Sequence, residues 1–122
     1  MDTSTLTMTC LGVVALVLVL RTFLANRSRL SKDQMMTLID QGATILDVRT
    51  SQEFAQGHAP GSRNIPLDRL SDHLADLDRT KHLLVCCASG ARSAAAKAML
   101  DKAGFARVDN AGSWRRLVRA DS

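Results

Sequence analysis

The chain has 122 residues, room for one small domain and an appendage, and at 46% hydrophobic and 23% charged it is balanced for folding rather than for disorder. One Trp, three Phe and no Tyr leave few stacking platforms, so the net charge of +4 is not read as a nucleic-acid footprint. Three cysteines, without paired Cys-x-x-Cys clusters, argue against both a disulfide scaffold and a structural zinc site, and nothing in the pattern requires a cofactor or metal.

The first element is apolar. No charge falls between Asp2 and Arg21, and Cys10 to Leu20 is almost purely aliphatic. Eighteen helical residues from Thr3 to Leu20 span about 27 Å, close to a hydrocarbon core. A cleaved signal peptide wants a basic start and small residues before the cut; Met1-Asp2 and Phe23-Leu24-Ala25 supply neither. A buried core helix would carry a polar face, which scattered Thr and one Gly do not make. The reading is an uncleaved transmembrane helix over residues 3–25, with Cys10 inert inside it.

Residues 26–30 form a basic juxtamembrane linker. Arg21, Arg27, Arg29 and Lys32 all follow the span, so the positive-inside rule places the downstream domain on the cytoplasmic face of the inner membrane, as a single-pass protein. Its cysteines are then expected as thiols, thiolates or transient adducts.

Residues 31–122 read as one domain. Ser31-Lys-Asp-Gln34 is a capping box opening a helix with Met35, Leu38 and Ile39 on its apolar face and Gly42 at its stop. Thr44 to Val48 reads as a buried strand. Thr50-Ser-Gln-Glu53 is a second capping box, opening a short helix with Phe54 inside and Gly57 at its end. Pro60-Gly61 marks a turn, and Asn64-Ile65-Pro66 allows only a very short strand. Leu67, Leu70, Leu74 and Leu77 recur at helical spacing with Asp68, Asp72, Asp76 and Asp78 outward. His82 to Cys87 is the most hydrophobic strand, Ser93 to Leu100 an alanine-rich helix stopped by Gly104, Ala106 to Asp109 a last strand, and Ser113 to Val118 a last short helix. Strands alternating with helices predict an α/β fold, a parallel sheet covered on both faces, with its chemistry at the carboxyl ends of the strands.

Two places stand out there: Asp47-Val-Arg49, and Cys87-Ala-Ser-Gly-Ala-Arg-Ser93. In the second, a strand ends in a cysteine, four small residues follow, and a helix starts after Arg92. Such a loop can aim several backbone N–H groups at one sulfur, while the helix terminus and Arg92 add positive potential. All three lower a thiol's pKa and suit a small oxyanion or a persulfide. Ala88, Ser89, Gly90, Ala91 and Arg92 are the predicted cradle, Cys87 the predicted nucleophile, and Asp47, Arg49 and Ser93 the supporting residues.

In these segments the sequence resembles the rhodanese (thiosulfate sulfurtransferase) homology domain in its single-domain form, over roughly Ser31 to Trp114. Leu46-Asp-Val-Arg49 with Glu53-Phe54, then Gly57-His-Ala-Pro-Gly-Ser-Arg-Asn-Ile-Pro66, then Cys87 to Ser93, then Asn110-Ala-Gly-Ser-Trp114 match the family's motifs in order, with Ala111 where the last motif has its first glycine. The resemblance implies a compact α/β fold and a Cys87 persulfide carried from a small anionic or persulfide donor to a thiol or protein acceptor. Many thiosulfate-using members carry a basic residue directly after the nucleophile; here it is Ala88, which makes a persulfidic or protein donor more plausible. Two other readings stay open. One is a rhodanese-like binding module with little turnover. The other is a cysteine phosphatase or arsenate reductase, because Arg92 counted from Cys86 sits at Cys-x5-Arg spacing; Gly90, three residues after Cys87, and Val85 in place of a preceding His favour Cys87. Cys86 then reads as a small buried hydrophobe facing the opposite side. Asp47 is read as holding neighbouring loops, Arg49 as pairing with Glu53 or lining the pocket mouth, His58 as a turn residue, Trp114 as packing that closes the pocket, and Arg115, Arg116 and Arg119 as a basic surface able to attract anionic lipids.

Overall fold

The computed structural model describes residues 2–27 and 29–120. Helix α1 runs over Thr3–Arg27, and the stretch Thr3–Leu24 is long and apolar enough to cross a membrane, with none of it buried against the rest of the chain. Several of its threonines satisfy their hydroxyl hydrogens within the helix. The hydroxyls of Thr7, Thr9 and Thr22 donate back to the carbonyls of Thr3, Thr5 and Leu18 at 2.6–3.1 Å. That internal satisfaction is what hydrocarbon demands of a polar side chain.

The domain begins at α2 (Lys32–Asp40). Both halves of its capping box form: Gln34 N–H donates to Ser31 Oγ at 3.2 Å, and Ser31 N–H donates to Gln34 Oε1 at 2.8 Å. Strand β1 (Thr44–Asp47) follows, then α3 (Ser51–Ala55), whose Thr50–Glu53 capping box also forms. β2 is only Arg63–Asn64. The leucine-spaced segment, Leu67–Asp76, is a 3₁₀ helix and not an α-helix; a 3-4-3 leucine spacing fits either winding, and only Leu70 of the segment is fully buried. β3 (Leu83–Cys87), α4 (Ala91–Lys102), β4 (Val108–Ser113) and a 3₁₀ turn (Trp114–Leu117) complete the domain.

The four strands form one sheet in the order β2-β1-β3-β4, all neighbours parallel. Every residue of β3 is buried, as a central parallel strand requires. Its alternating side chains feed two cores. Leu83, Val85 and Cys87 join Leu46, Val48, Leu70, Ala96 and Leu100 beneath α4 and the first 3₁₀ helix. Leu84 and Cys86 join Met35, Ile45, Ala111 and Leu117 beneath α2 and the second 3₁₀ turn. Each fully buried leucine here contributes roughly 1.5–3 kcal/mol.

β4 differs from its sequence reading. It extends through Asn110-Ala-Gly-Ser113, residues of poor strand propensity, past a bulge opposite Val85 and Cys86. That extension brings Asn110 and Gly112 against the loop that follows Cys87.

Candidate active site at the carboxyl edge of the sheet

β3 delivers two adjacent cysteines to the carboxyl edge, and the strand's period separates them. Both are free and buried, 0% exposed at Cys86 and 1% at Cys87. Cys86 lies in the α2-side core, where burial, with the Asp47 carboxylate adding to it, pushes its thiol up to about 12.

Cys87 meets a different environment. Gly90 N–H donates to its sulfur at 2.9 Å, and Ser93 Oγ lies 3.4 Å away. Burial pushes this thiol up as well. The Ser93 hydroxyl and the backbone N–H groups of Ser93, Gly90 and Ser89 outweigh it, and the net direction is down from the ordinary thiol value. Gly90 makes the curl possible. Its φ is +108°, and a Cβ there would sit 3.4 Å from the Gly112 backbone.

Asn110 locks this loop to β4. Its amide donates to Gly90 O at 3.1 Å, and its Oδ1 accepts from Ser93 Oγ at 2.6 Å and from Gly112 N–H at 2.9 Å. Ser93 Oγ is also 3.0 Å from Gly90 O, so its single proton faces three acceptors: Asn110, Gly90 and the sulfur. Sequence reasoning quoted Asn110 as part of a motif without giving it this role. The poor strand propensity around it concealed that β4 reaches the loop.

The two arginines predicted for the site are both compensated by carboxylates. Arg92 makes a two-point pair with Glu53, at 2.7 and 3.0 Å. Arg49 does not pair with the Glu53 carboxylate, the first of the two readings the sequence offered, but it does line the cavity beside the loop, the second. It binds the Asp47 carboxylate, with Nη2 at 2.7 Å and Nε at 3.0 Å, and donates to the carbonyls of Glu53 and Gly57. The reason is local. Arg49 lies in the bend just past β1, where its backbone N–H already donates to Asp47 Oδ1, whereas the Glu53 side chain turns back to cap Thr50 and meet Arg92. Asp47 Oδ1 also accepts from Arg49 N–H, and Asn64 donates to the carbonyls of Asp47 and Arg49, so this cluster does hold the neighbouring loops.

A cavity of about 260 Å³ opens beside the loop, lined by Arg49, Glu53, Gln56, Gly57, Ala88, Trp114 and Arg115. The half-buried Trp114 ring has the Arg49 guanidinium 4.8 Å and the Arg115 guanidinium 4.9 Å from its centroid. A larger hollow of about 510 Å³ lies along β2 between Thr50, Arg63 and His73, and no cysteine lines it. His58 is exposed, its Nδ1 2.8 Å from Phe54 O and its ring stacked on Phe54, which is itself only half-buried. Among the described residues no group of three or more His, Cys, Asp or Glu is arranged to hold a metal ion.

Residues 31–117 match the model of the Rhodanese-like domain family. The chain is 34% identical over 98 residues to the thiosulfate sulfurtransferase GlpE of Pseudomonas aeruginosa, covering 77% of this chain and 89% of that protein. It is 35% identical over 71 residues to a putative sulfur carrier protein, YrkF, of Bacillus subtilis, covering 58% of this chain and 38% of that one. Among solved structures it superposes on a rhodanese with anions from E. coli, with a TM-score of 0.58 and 31% identity over 62% of this chain and 91% of that one. A rhodanese-like domain protein from Staphylococcus aureus superposes with a TM-score of 0.65 and 26% identity, over 75% and 92%. The chain belongs to the rhodanese-like domain family, with one sulfurtransferase domain over residues 31–117 and an apolar helix in front of it.

Proposed function

We propose that Cys87 is the sulfur-carrying nucleophile and that α1 tethers the domain to the cytoplasmic face of the inner membrane. The observation that carries the first part is the 2.9 Å contact from Gly90 N–H to the Cys87 sulfur, inside a loop of small residues. The second part rests on the apolar length of Thr3–Leu24 and on the basic residues that follow it.

The reaction starts from the thiolate, so no separate base is required. Cys87 attacks the outer sulfur of the donor. The donor's S–S bond breaks, and its electron pair leaves with the departing group, sulfite when the donor is thiosulfate. The product is a Cys87 persulfide whose negative charge lies on the terminal sulfur. The N–H groups of Ser89, Gly90 and Ser93 stabilise that charge, as preorganised donors do for an oxyanion. Ser93 turns its hydroxyl proton from Asn110 toward sulfur when sulfur is ionised. A thiol acceptor then takes the terminal sulfur and returns the Cys87 thiolate.

Arg92, paired with Glu53, acts here as a brace between α3 and α4 and not as a free charge for the donor. Thiosulfate or an organic persulfide serves as donor and a small or protein thiol as acceptor; Ala88, which adds no charge beside the nucleophile, favours the persulfidic donor.

Intact-mass spectrometry of the purified chain after donor exposure tests the proposal. The expected result is one added sulfur, removed by a thiol reductant. Unchanged mass with thiosulfate and with persulfide donors overturns it. For the topology, a reporter fused after Ser122 is expected to work only if it matures in the cytoplasm, and activity of an export-dependent reporter overturns that half.

A further inference from the structure

The direction of α2 decides where the membrane segment joins the domain. The turn after α2 is short: Ala43 N–H donates to Leu38 O, and Thr44 N–H donates to His82 O, at the amino edge of the sheet. The helix therefore runs back along β1, and its start lies at the carboxyl edge, the edge that carries Cys87. Arg116 fastens it there. Its Nη2 donates to Leu30 O at 2.8 Å and its Nη1 to Ala111 O at 2.9 Å. Ala111 sits in β4 between Asn110, opposite Val85, and Gly112, opposite Cys86. Arg29 comes closer still. Its Nη2 lies 3.3 Å and 3.4 Å from the points where a Cβ would stand on Gly112 and Gly90. Gly90 is the residue whose N–H holds the Cys87 sulfur.

Only five residues lie between Leu24, the end of the apolar stretch, and Leu30. The six Cα–Cα steps from one to the other reach at most about 20 Å whatever path they take. Arg29 and Arg115 make no ion pair with a carboxylate among the described residues, and Arg115 lines the same cavity as Ala88. A short tether fastened beside the loop, and two cations at the mouth that meet no described carboxylate, match an anionic lipid surface.

We propose that the mouth of the Cys87 site rests against the anionic bilayer surface through Arg29, Arg115 and the Leu30 clasp, and discharges its sulfur to a thiol anchored at that surface. This rests on the reading of α1 as a membrane span and of Cys87 as the sulfur carrier. In the discharge, the acceptor thiolate attacks the terminal sulfur of the Cys87 persulfide. A new S–S bond forms on the acceptor, the bond to Cys87 breaks, and its electron pair returns to the Cys87 thiolate. No oxidant or reductant is consumed.

The test uses the full chain in vesicles of phosphatidylcholine and phosphatidylglycerol that contain the thiol lipid phosphatidylthioethanol. The protein is loaded with persulfide, and the decay of the loaded mass is compared for the lipid thiol and for glutathione. A second chain carries twenty Gly and Ser residues inserted between Asn26 and Arg27. Tethering alone favours the lipid thiol in both chains, so the deciding quantity is the difference between them. The expected result is at least threefold slower discharge to the lipid thiol in the lengthened chain, equal discharge to glutathione, and a similar slowing for Arg29→Ala/Arg115→Ala. Equal discharge to the lipid thiol by the intact and lengthened chains overturns the proposal. Failure to float with vesicles, or failure to load sulfur, overturns it too, and each identifies which underlying reading failed.

Discussion

Cys86 and Cys87 are neighbours in one strand, equally buried, and opposite in chemistry. On the α2 side, Cys86 meets Met35, Ile45, Leu84 and the Asp47 carboxylate, and its thiol is pushed up to about 12. On the α4 side, Cys87 meets Gly90 N–H and the Ser93 hydroxyl, and its thiol moves down. Burial acts in the same direction on both. What separates them is the donor set that the loop after β3 turns toward one face only. A buried sulfur becomes reactive where fixed dipoles replace the water it has lost.

The most severe way to break this comparison is to remove one sulfur at a time. Cys87→Ser is expected to lose all donor-dependent persulfide by intact mass. Cys86→Ser is expected to keep most of it, with reduced stability because a hydroxyl enters an apolar core. An active Cys87→Ser beside an inert, folded Cys86→Ser would invert the assignment. The Cys-x5-Arg count, which pointed to Cys86, would then return.

Next in size is the buried pair that flanks the inert cysteine. Asp47 is wholly buried and Arg49 4% exposed, joined at 2.7 Å. Arg49→Ala leaves a buried carboxylate without its partner, at an expected cost of about 3–5 kcal/mol. Urea unfolding measures it. A loss below about 1 kcal/mol would mean that the residue-49 backbone N–H suffices to hold the Asp47 carboxylate, and that the ion pair is incidental.

The local parts of this comparison were legible in the sequence. The two capping boxes, the apolar run of β3 and the small residues after Cys87 each declare themselves within seven residues, because caps and turns are short-range chemistry. Pairings across long separations were not. Glu53 and Arg92 lie 39 residues apart, and a second arginine, Arg49, stood four residues from Glu53 as a nearer candidate. Asn110 and Gly112 were hidden for a different reason. Asn-Ala-Gly-Ser carries almost no strand propensity, and its pairing with β3 depends on a bulge and on the buried strand beside it. Leu67–Asp76 was legible as helical but not in its winding, since its leucine spacing fits a 3₁₀ helix as well as an α-helix.

The third prediction narrows the comparison to one proton. Ser93 shares its hydroxyl among Asn110, Gly90 and the Cys87 sulfur. Ser93→Ala removes the donor that acts on the ionised sulfur and leaves the backbone donors in place. The Cys87 pKa is expected to rise, and iodoacetamide alkylation at pH 7 to slow on the order of tenfold, the worth of one hydrogen bond to a charged group. Cys86 should not change. Unchanged alkylation of Cys87 would assign its activation to the loop amides alone.

The smallest expected effect concerns the pair that braces the loop from outside. Arg92 holds the Glu53 carboxyl down at about 2 from its ordinary 4.5, helped by Thr50. The folded value is the lower one, so the pair's contribution to stability is complete above the unfolded value. It is lost as pH falls from about 5 toward 2. Above about pH 5, then, Glu53 stays ionised and Arg92 stays compensated. The rate of persulfide formation should show a single rise with pH, set by Cys87, because its lowered pKa makes the thiolate disappear as pH falls through it. Glu53→Gln should leave that rise in place. It frees the Arg92 charge at the cavity that Glu53 and Ala88 line, so the KM for thiosulfate should fall roughly two- to threefold, within the range of an exposed ion pair. The KM for an uncharged persulfide donor should stay the same. A shift in the pH rise in Glu53→Gln would show instead that the Glu53–Arg92 pair acts on the sulfur itself, and that the loop amides and Ser93 are not its only donors.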